Sequence, residues 1–284
     1  MRRTRLPAVL AAVLVVVGST VFADRVLNPA LLFLSGTVKI GVNGGLPGWS
    51  YPRDEPRGFD VELARFLADR YGFTLELVAL RPEQRERELR AGHVDLVIAN
   101  YSIDGSSWGD RDKSRLDVID FAGPYFLDNS GVMYSRDKLA GYGMEIPVDK
   151  VCVSNGTTAQ DYLKGGGVFA DQDECFRRFT DAEDHAIVGV VTDQSLLTTY
   201  AREFGAEAAP AVWQNEPSQY PIHDERYGIA MPDDSPALCR ELTDAVDAFL
   251  ADRDGGWDRA FAEHLDGVAD PGRHKPEHAD SRLC

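Results

Sequence analysis

Side chains with chemistry to offer collect where apolar runs stop. Asn100, Tyr101 and Ser102 follow the run at 94–98, Thr157 and Thr158 follow VCVSNG, and Thr192-Asp193-Gln194 closes the run at 186–191. A polar loop beyond Ser102 carries Arg111, Lys113 and Arg115, cations able to meet an anion. An aspartate at the carboxyl end of a strand suits an ammonium group, or the N-cap of the helix that follows. The start of a helix at Gly156-Thr157-Thr158 offers free N–H groups and a positive dipole end, where a carboxylate docks, and either threonine can equally be an N-cap. Asp104 and Asp193 are also candidate acid–base groups, a role that sequence does not separate from binding. For a metal there is neither a CxxC pair nor a Cys/His cluster, and HKPEH near the end, with His274 and His278, reads as solvated tail.

The elements that must position these groups are those of an α/β protein. The run at 94–98, bounded by Gly92 and Asn100, has the look of a strand buried in a parallel sheet. In open α/β sheets ligands sit outside the carboxyl ends of the strands, which marks Asn100 and Ser102. Further strands are expected at 38–42, 74–80, 130–134, 151–154, 186–191 and 227–231, and helices at 59–71, 82–91, 194–204 and 236–250. DFAGPYF, stiff at Pro124 and permissive at Gly123, suits a strand crossing between two lobes.

The ordered motifs IGVN…PGWSY, GFDVELARFLA, L…AGHVDLVIANYSI, DFAGPYF, VCVSNGTTAQDYL, VVTDQSLL and RYGIAMP span roughly residues 37–266. No one of them is specific. In that order and spacing the chain resembles the amino-acid-binding members of the family 3 bacterial extracellular solute-binding proteins, and among them the glutamate-binding ones.

The resemblance implies a two-lobed type II periplasmic-binding-protein fold with two hinge strands. Lobe 1 would take residues 37–122 and 227–266, and lobe 2 with the hinges 123–226, leaving 267–284 as a tail. It implies Arg115 and Thr158, with Thr157 beside it, for an α-carboxylate, and Asp193 for an α-ammonium. Asn100 and Ser102 would line the strand end, and Trp49 would stack on the ligand's aliphatic part, a core aromatic being the alternative. Arg85 falls where similar acidic-amino-acid binders carry an arginine. Its fork would select a side-chain carboxylate, although EQRERELRA also reads as a solvated helix face. Two departures stand out. Asp104 stands at the family's threonine position, and about eight residues around GSSWGDRD are inserted, which makes Arg111 a substitute for Arg115. Pro82 replaces a common aromatic.

The function implied is an extracytoplasmic amino-acid-binding protein, glutamate or aspartate first, that delivers its ligand to an ABC permease. It would be a monomer, with no cofactor and no enzymatic activity. The alternatives are a cyclohexadienyl-dehydratase-like enzyme and a ligand-sensing surface module without transport.

A formal net charge of −16 over 284 residues argues against nucleic acid or anionic lipid as partner. Arg2, Arg3 and Arg5 ahead of an apolar run through Ala23 make residues 1–23 an export segment, either a cleaved signal peptide or a signal anchor; 24–36 is a linker. Membrane contact is expected only through that segment, if it stays uncleaved. Four cysteines fit an oxidising compartment, and spacing alone leaves three pairings, free thiols or a metal open. The resemblance favours Cys152 with Cys175, which leaves Cys239 to Cys284.

Overall fold

The computed structural model describes residues 28–51, 54–107, 109–139, 142, 147–163, 167–203, 211–214, 223–252, 256–268 and 270–284. The export segment at 1–23 and the first linker residues lie outside them. Among the described residues no helix is long and apolar enough to cross a membrane.

The linker contains a helical turn, α1 (Pro29–Phe33), capped by the Asn28 side chain, which accepts from the Ala30 N–H at 3.0 Å. Ala30 and Leu34 are buried in the core, so this segment packs on the protein. Next come β1 (Thr37–Asn43), α2 (Phe59–Tyr71) and β2 (Thr74–Leu80). Helix α2 buries Val61, Ala64, Leu67 and Tyr71 at helical spacing and stops at Gly72, whose φ of 70° is the left-handed C-terminal stop. The polar stretch after β2 is broken into a tight turn over 82–84 and α3 (Arg85–Arg90). Arg85, Glu86 and Leu89 of α3 are buried, so this helix is not a solvated face all round.

The apolar residues of the run at 94–98 are buried, yet only β3 (Leu96–Val97) pairs as strand. After the polar loop, β4 (Asp120–Ser135) continues for 16 residues, where sequence suggested a crossing strand and a separate one. Then follow α4 (Arg136–Leu139), β5 (Val151–Ser154), α5 (Thr158–Tyr162), β6 (Val168–Ala170), α6 (Gln172–Thr180), β7 (Gly189–Asp193), α7 (Gln194–Glu203), β8 (Ala211–Gln214) and β9 (Asp224–Met231). The chain closes with α8 (Pro236–Ala251), α9 (Trp257–His264) and α10 (Pro271–His274).

The strand order is β2-β1-β3-β9-β4-β7-β5-β6, with β8 also on β4. One half holds β1, β2 and β3 in parallel, with Ile40 opposite Leu96; the other holds β5, β6 and β7. Strand β4 serves both: Asp120–Ala122 and Phe126–Asn129 pair with β9, and Ser130–Tyr134 with β7. The pairing with β9 breaks between Ala122 and Phe126, where Gly123 has φ 151°. A Cβ there would stand 3.0 Å from the Gly228 Cα, so glycine lets the two crossing strands touch.

The first half is centred on aromatic rings. Trp49 packs on Phe59, Phe126 and Tyr227 with ring centroids 5.6, 4.8 and 5.4 Å away, and Phe126 stacks on Trp257. In the second half Phe176 stacks on Tyr200 at 4.2 Å, and Cys152–Cys175 fastens α6 to β5. The other disulfide, Cys239–Cys284, ties the last residue to α8 across 45 positions. On a chain-entropy model that closure is worth about 4 kcal/mol. The tail is accordingly fastened to the body, with most of its residues still partly or fully exposed. His274 Nδ1 lies 2.8 Å from the Leu127 carbonyl, with its ring on Phe126, and the Asp280 N–H donates to the Gly123 carbonyl at 2.6 Å. His278 does remain exposed.

Candidate functional site

The strand ends of both halves open on one cavity of about 360 Å³. Arg85, Asn100, Ser102 and Arg115 line it from the first half, and Thr157, Thr158 and Asp193 from the second. These are seven of the eight ligand residues named from sequence.

Trp49 is the exception. Its ring is fully buried among Phe59, Phe126 and Tyr227 and is not part of the cavity wall. A ring of that size contributes most where it is surrounded, and three aromatic neighbours surround it here.

Asn100 sits at the turn after β3 with φ 38°, its N–H donating to Asp60 Oδ2 at 2.9 Å. Its side-chain oxygen accepts from Asn43 Nδ2, and Asn43 Oδ1 in turn accepts from Arg85 Nη2. This chain of hydrogen bonds aims Arg85 inward. The guanidinium is 4% exposed, and burial, with Arg115 nearby, lowers its pKa to about 10. Its Nε has no hydrogen-bond partner.

Arg115 is also 4% exposed. Its Nη1 donates to the Ser102 carbonyl at 2.7 Å and its Nη2 to the Gly156 carbonyl of the other half at 3.5 Å. Both guanidiniums lie over the Tyr101 ring, Arg85 at 5.3 Å and Arg115 at 4.7 Å from its centroid. The insertion therefore leaves Arg115 in the cleft. Arg111 pairs instead with Asp161 and Gln160 at the rim. Asp104 pairs with Arg226 through two bonds of 2.7 and 2.8 Å, and it does not line the cavity.

On the opposite wall, β7 extends through Asp193, two residues past the expected strand, and burial comes with it. Desolvation, followed by the charges of Glu225 and Asp128, raises the Asp193 carboxyl well above the usual range. Its Oδ2 accepts from the Tyr227 hydroxyl, which is also 3.2 Å from Asp128 Oδ2. Thr158 donates to Glu225 Oε1 at 2.8 Å, while Thr157 Oγ1 is turned back to the Ser154 carbonyl at 2.7 Å.

The missed residues are Asn43, Asp60, Asp128 and Glu225. Asp60 is wholly buried below Asn100, accepts from the Tyr125 hydroxyl at 2.8 Å and has its pKa pushed up by burial to about 7. A carboxylate on the apolar face of α2 was a usable signal. Glu225 lies two residues from Tyr227, on the same face of β9, but the flanking charges of HDER read as surface.

The halves meet around the cavity. A Cβ at Gly156 would stand 2.6 Å from the Glu83 nitrogen, so the loop before α5 rests directly on the turn at 82–84. Two buried guanidiniums and a buried carboxyl thus line one cleft, a charge pattern complementary to a small zwitterion. The family model for the bacterial extracellular solute-binding proteins, family 3, matches residues 38–265. The chain belongs to that family.

This family 3 solute-binding protein is 28% identical to the glutamate-binding protein GluB of Corynebacterium efficiens over 281 residues, covering 92% of this chain and 91% of that one. It is 27% identical to GluB of Corynebacterium glutamicum over 248 residues, 81% of this chain and 79% of that one. Among solved structures, the cysteine-binding protein of Campylobacter jejuni superposes with a TM-score of 0.69 at 19% identity, covering 88% of this chain and 99% of that one. At that identity the likeness is one of fold, the two-lobed α/β architecture of type II periplasmic binding proteins.

Proposed function

We propose that this protein binds an acidic amino acid, glutamate or aspartate, outside the cytoplasm and hands it to an ABC importer. The observation that carries the reading is the placement of Arg85 and Arg115 on one Tyr101 ring, facing Asp193 across a single cavity. The two buried cations in the cavity wall call for two carboxylates and the Asp193 carboxylate in it for an ammonium, because buried charges are costly unless paired. Arg115 and the helix start at Thr158 serve the α-carboxylate, Arg85 the side-chain carboxylate and Asp193 the ammonium. The GluB relatives support the acidic ligand, and membership of the family supports delivery to a permease. The apolar segment at 1–23 is read as the export signal or anchor.

Closure of the two halves about β4 and β9 would bury the ligand, and exclusion of water strengthens each charge pair. Titration calorimetry of the protein against the twenty amino acids tests this directly. Glutamate or aspartate is expected to give the tightest binding. Heat from neutral or basic amino acids, with none from acidic ones, would refute the acidic specificity.

A further inference from the structure

Glu225 lies 1% exposed at the junction of the two halves. Its Oε1 is 2.8 Å from Thr158 Oγ1, and its Oε2 is hydrogen-bonded to Ser102 Oγ. Ser102 belongs to the first half, Thr158 to the second and Glu225 to the crossing strand β9, whose Tyr227 pairs with Ser102 in an isolated bridge. Glu225 accepts at both of its carboxyl oxygens, so both hydroxyl protons are engaged by it. The hydroxyl oxygens of Ser102 and Thr158, two residues of the cavity wall, therefore have lone pairs left for a ligand and no proton.

We propose that Glu225 is a positioning residue that turns these two hydroxyls into acceptors for the ligand's ammonium group. One comes from each half, and with Asp193 they complete a socket for that cation. The inference deepens the amino-acid-binding reading and rests on it. Glu225 also adds to the negative potential at Asp193, as expected of a group that prepares a place for positive charge. A consequence follows for Thr158. The resemblance gives its hydroxyl to the α-carboxylate, but with the proton engaged by Glu225, only the backbone N–H of Thr158 is left to serve that carboxylate. A ligand without an amino group would leave several buried acceptors unpaired, which discriminates far more strongly than a lost apolar contact.

The test compares L-glutamate with glutarate, its counterpart lacking the amino group, by titration or displacement on the full chain. The wild type is expected to prefer L-glutamate by at least about 100-fold. Thr158→Ala should weaken L-glutamate about tenfold more than it weakens glutarate, since one acceptor for the ammonium is lost. Glu225→Gln, which keeps the shape and frees a donor, should narrow the preference about tenfold or more. Equal weakening of both ligands by Thr158→Ala would overturn the proposal, because the hydroxyl would then serve the carboxylate they share. An unchanged preference in Glu225→Gln would overturn it as well. Thr158→Ala decides alone if Glu225→Gln does not fold. If the wild type binds a different amino acid, the acidic specificity fails, and the comparison is made with that amino acid and its des-amino acid. Binding of no amino acid at all overturns both readings.

Discussion

Arg111 pairs with Asp161 across the rim of the cleft, from the loop after β3 in one half to α5 in the other, and donates also to Gln160 Oε1. Its side chain is 40% exposed, whereas Arg115, four residues on, is 4% exposed and lines the cavity. The inserted loop thus carries two arginines with different surroundings, one bridging the halves at the rim and one in the cavity wall.

Exposed ion pairs contribute about 0.2–1 kcal/mol, so Arg111→Ala should weaken binding no more than about fivefold, and equally for every ligand bound. Arg115→Ala leaves a ligand carboxylate buried without its cation, which costs about 2–5 kcal/mol, and should weaken binding about 30-fold or more. Titrations of the two variants side by side decide the matter. A loss for Arg111→Ala as large as that for Arg115→Ala would move the carboxylate contact to Arg111.

Trp49→Ala should act on stability. Emptying a fully buried site among three aromatic rings costs about 3–5 kcal/mol and lowers the melting temperature. At a temperature where the variant is folded, its order of preference among amino acids should match the wild type. A variant with normal melting and an altered preference would put the ring back at the ligand.

Much of this architecture was legible because strand ends and hydrophobic periodicity follow from short-range chemistry. Gly72 stops α2, the apolar run at 94–98 is buried, and Asn100, Ser102 and Asp193 stand where such runs end. The parts that were not legible depend on distant partners. Trp49 looked like a ligand platform because nothing in its neighbourhood shows that Phe126, Tyr227 and Phe59 converge on it. Glu225 looked like surface because Ser102 and Thr158, which fill its two oxygens, are 123 and 67 positions away. The tail looked solvated, yet Cys284 and His274 fix it to α8 and β4. Of strand β4, which unites the halves, only the apolar and glycine-proline pieces were visible.

Asp60 sets a pH dependence. Burial raises its pKa from 3.8 to about 7, so the folded state holds that proton more tightly than the unfolded chain does. Stability of the unliganded protein should therefore fall as pH rises from about 4 to 7, by up to roughly 4 kcal/mol from this group. Asp128 and Asp193, both raised mainly by burial, act in the same direction. Melting curves at pH 5 and 7.5 are expected to show the higher midpoint at pH 5. Asp60→Asn should reduce that difference, and an unreduced difference would remove Asp60 from the explanation.

Ligand binding should release protons. The Asp193 carboxyl is raised by burial and by Glu225 and Asp128, and an ammonium placed against it favours the ionised form. Affinity for the amino acid should then rise with pH until Asp193 is ionised in the free protein. At pH 6 the binding enthalpy should vary with the ionisation enthalpy of the buffer, and Asp193→Asn should abolish that part of the variation. An enthalpy identical in all buffers would mean that Asp193 already carries its charge before the ligand arrives.

The decisive measurement is a crystal structure of the protein grown with L-glutamate. The α-carboxylate should lie on the Arg115 guanidinium, the side-chain carboxylate on Arg85 and the amino nitrogen within hydrogen-bond distance of Asp193. An amino nitrogen turned away from Asp193, or a ligand that leaves Arg115 bonded only to Ser102 and Gly156, would contradict this arrangement.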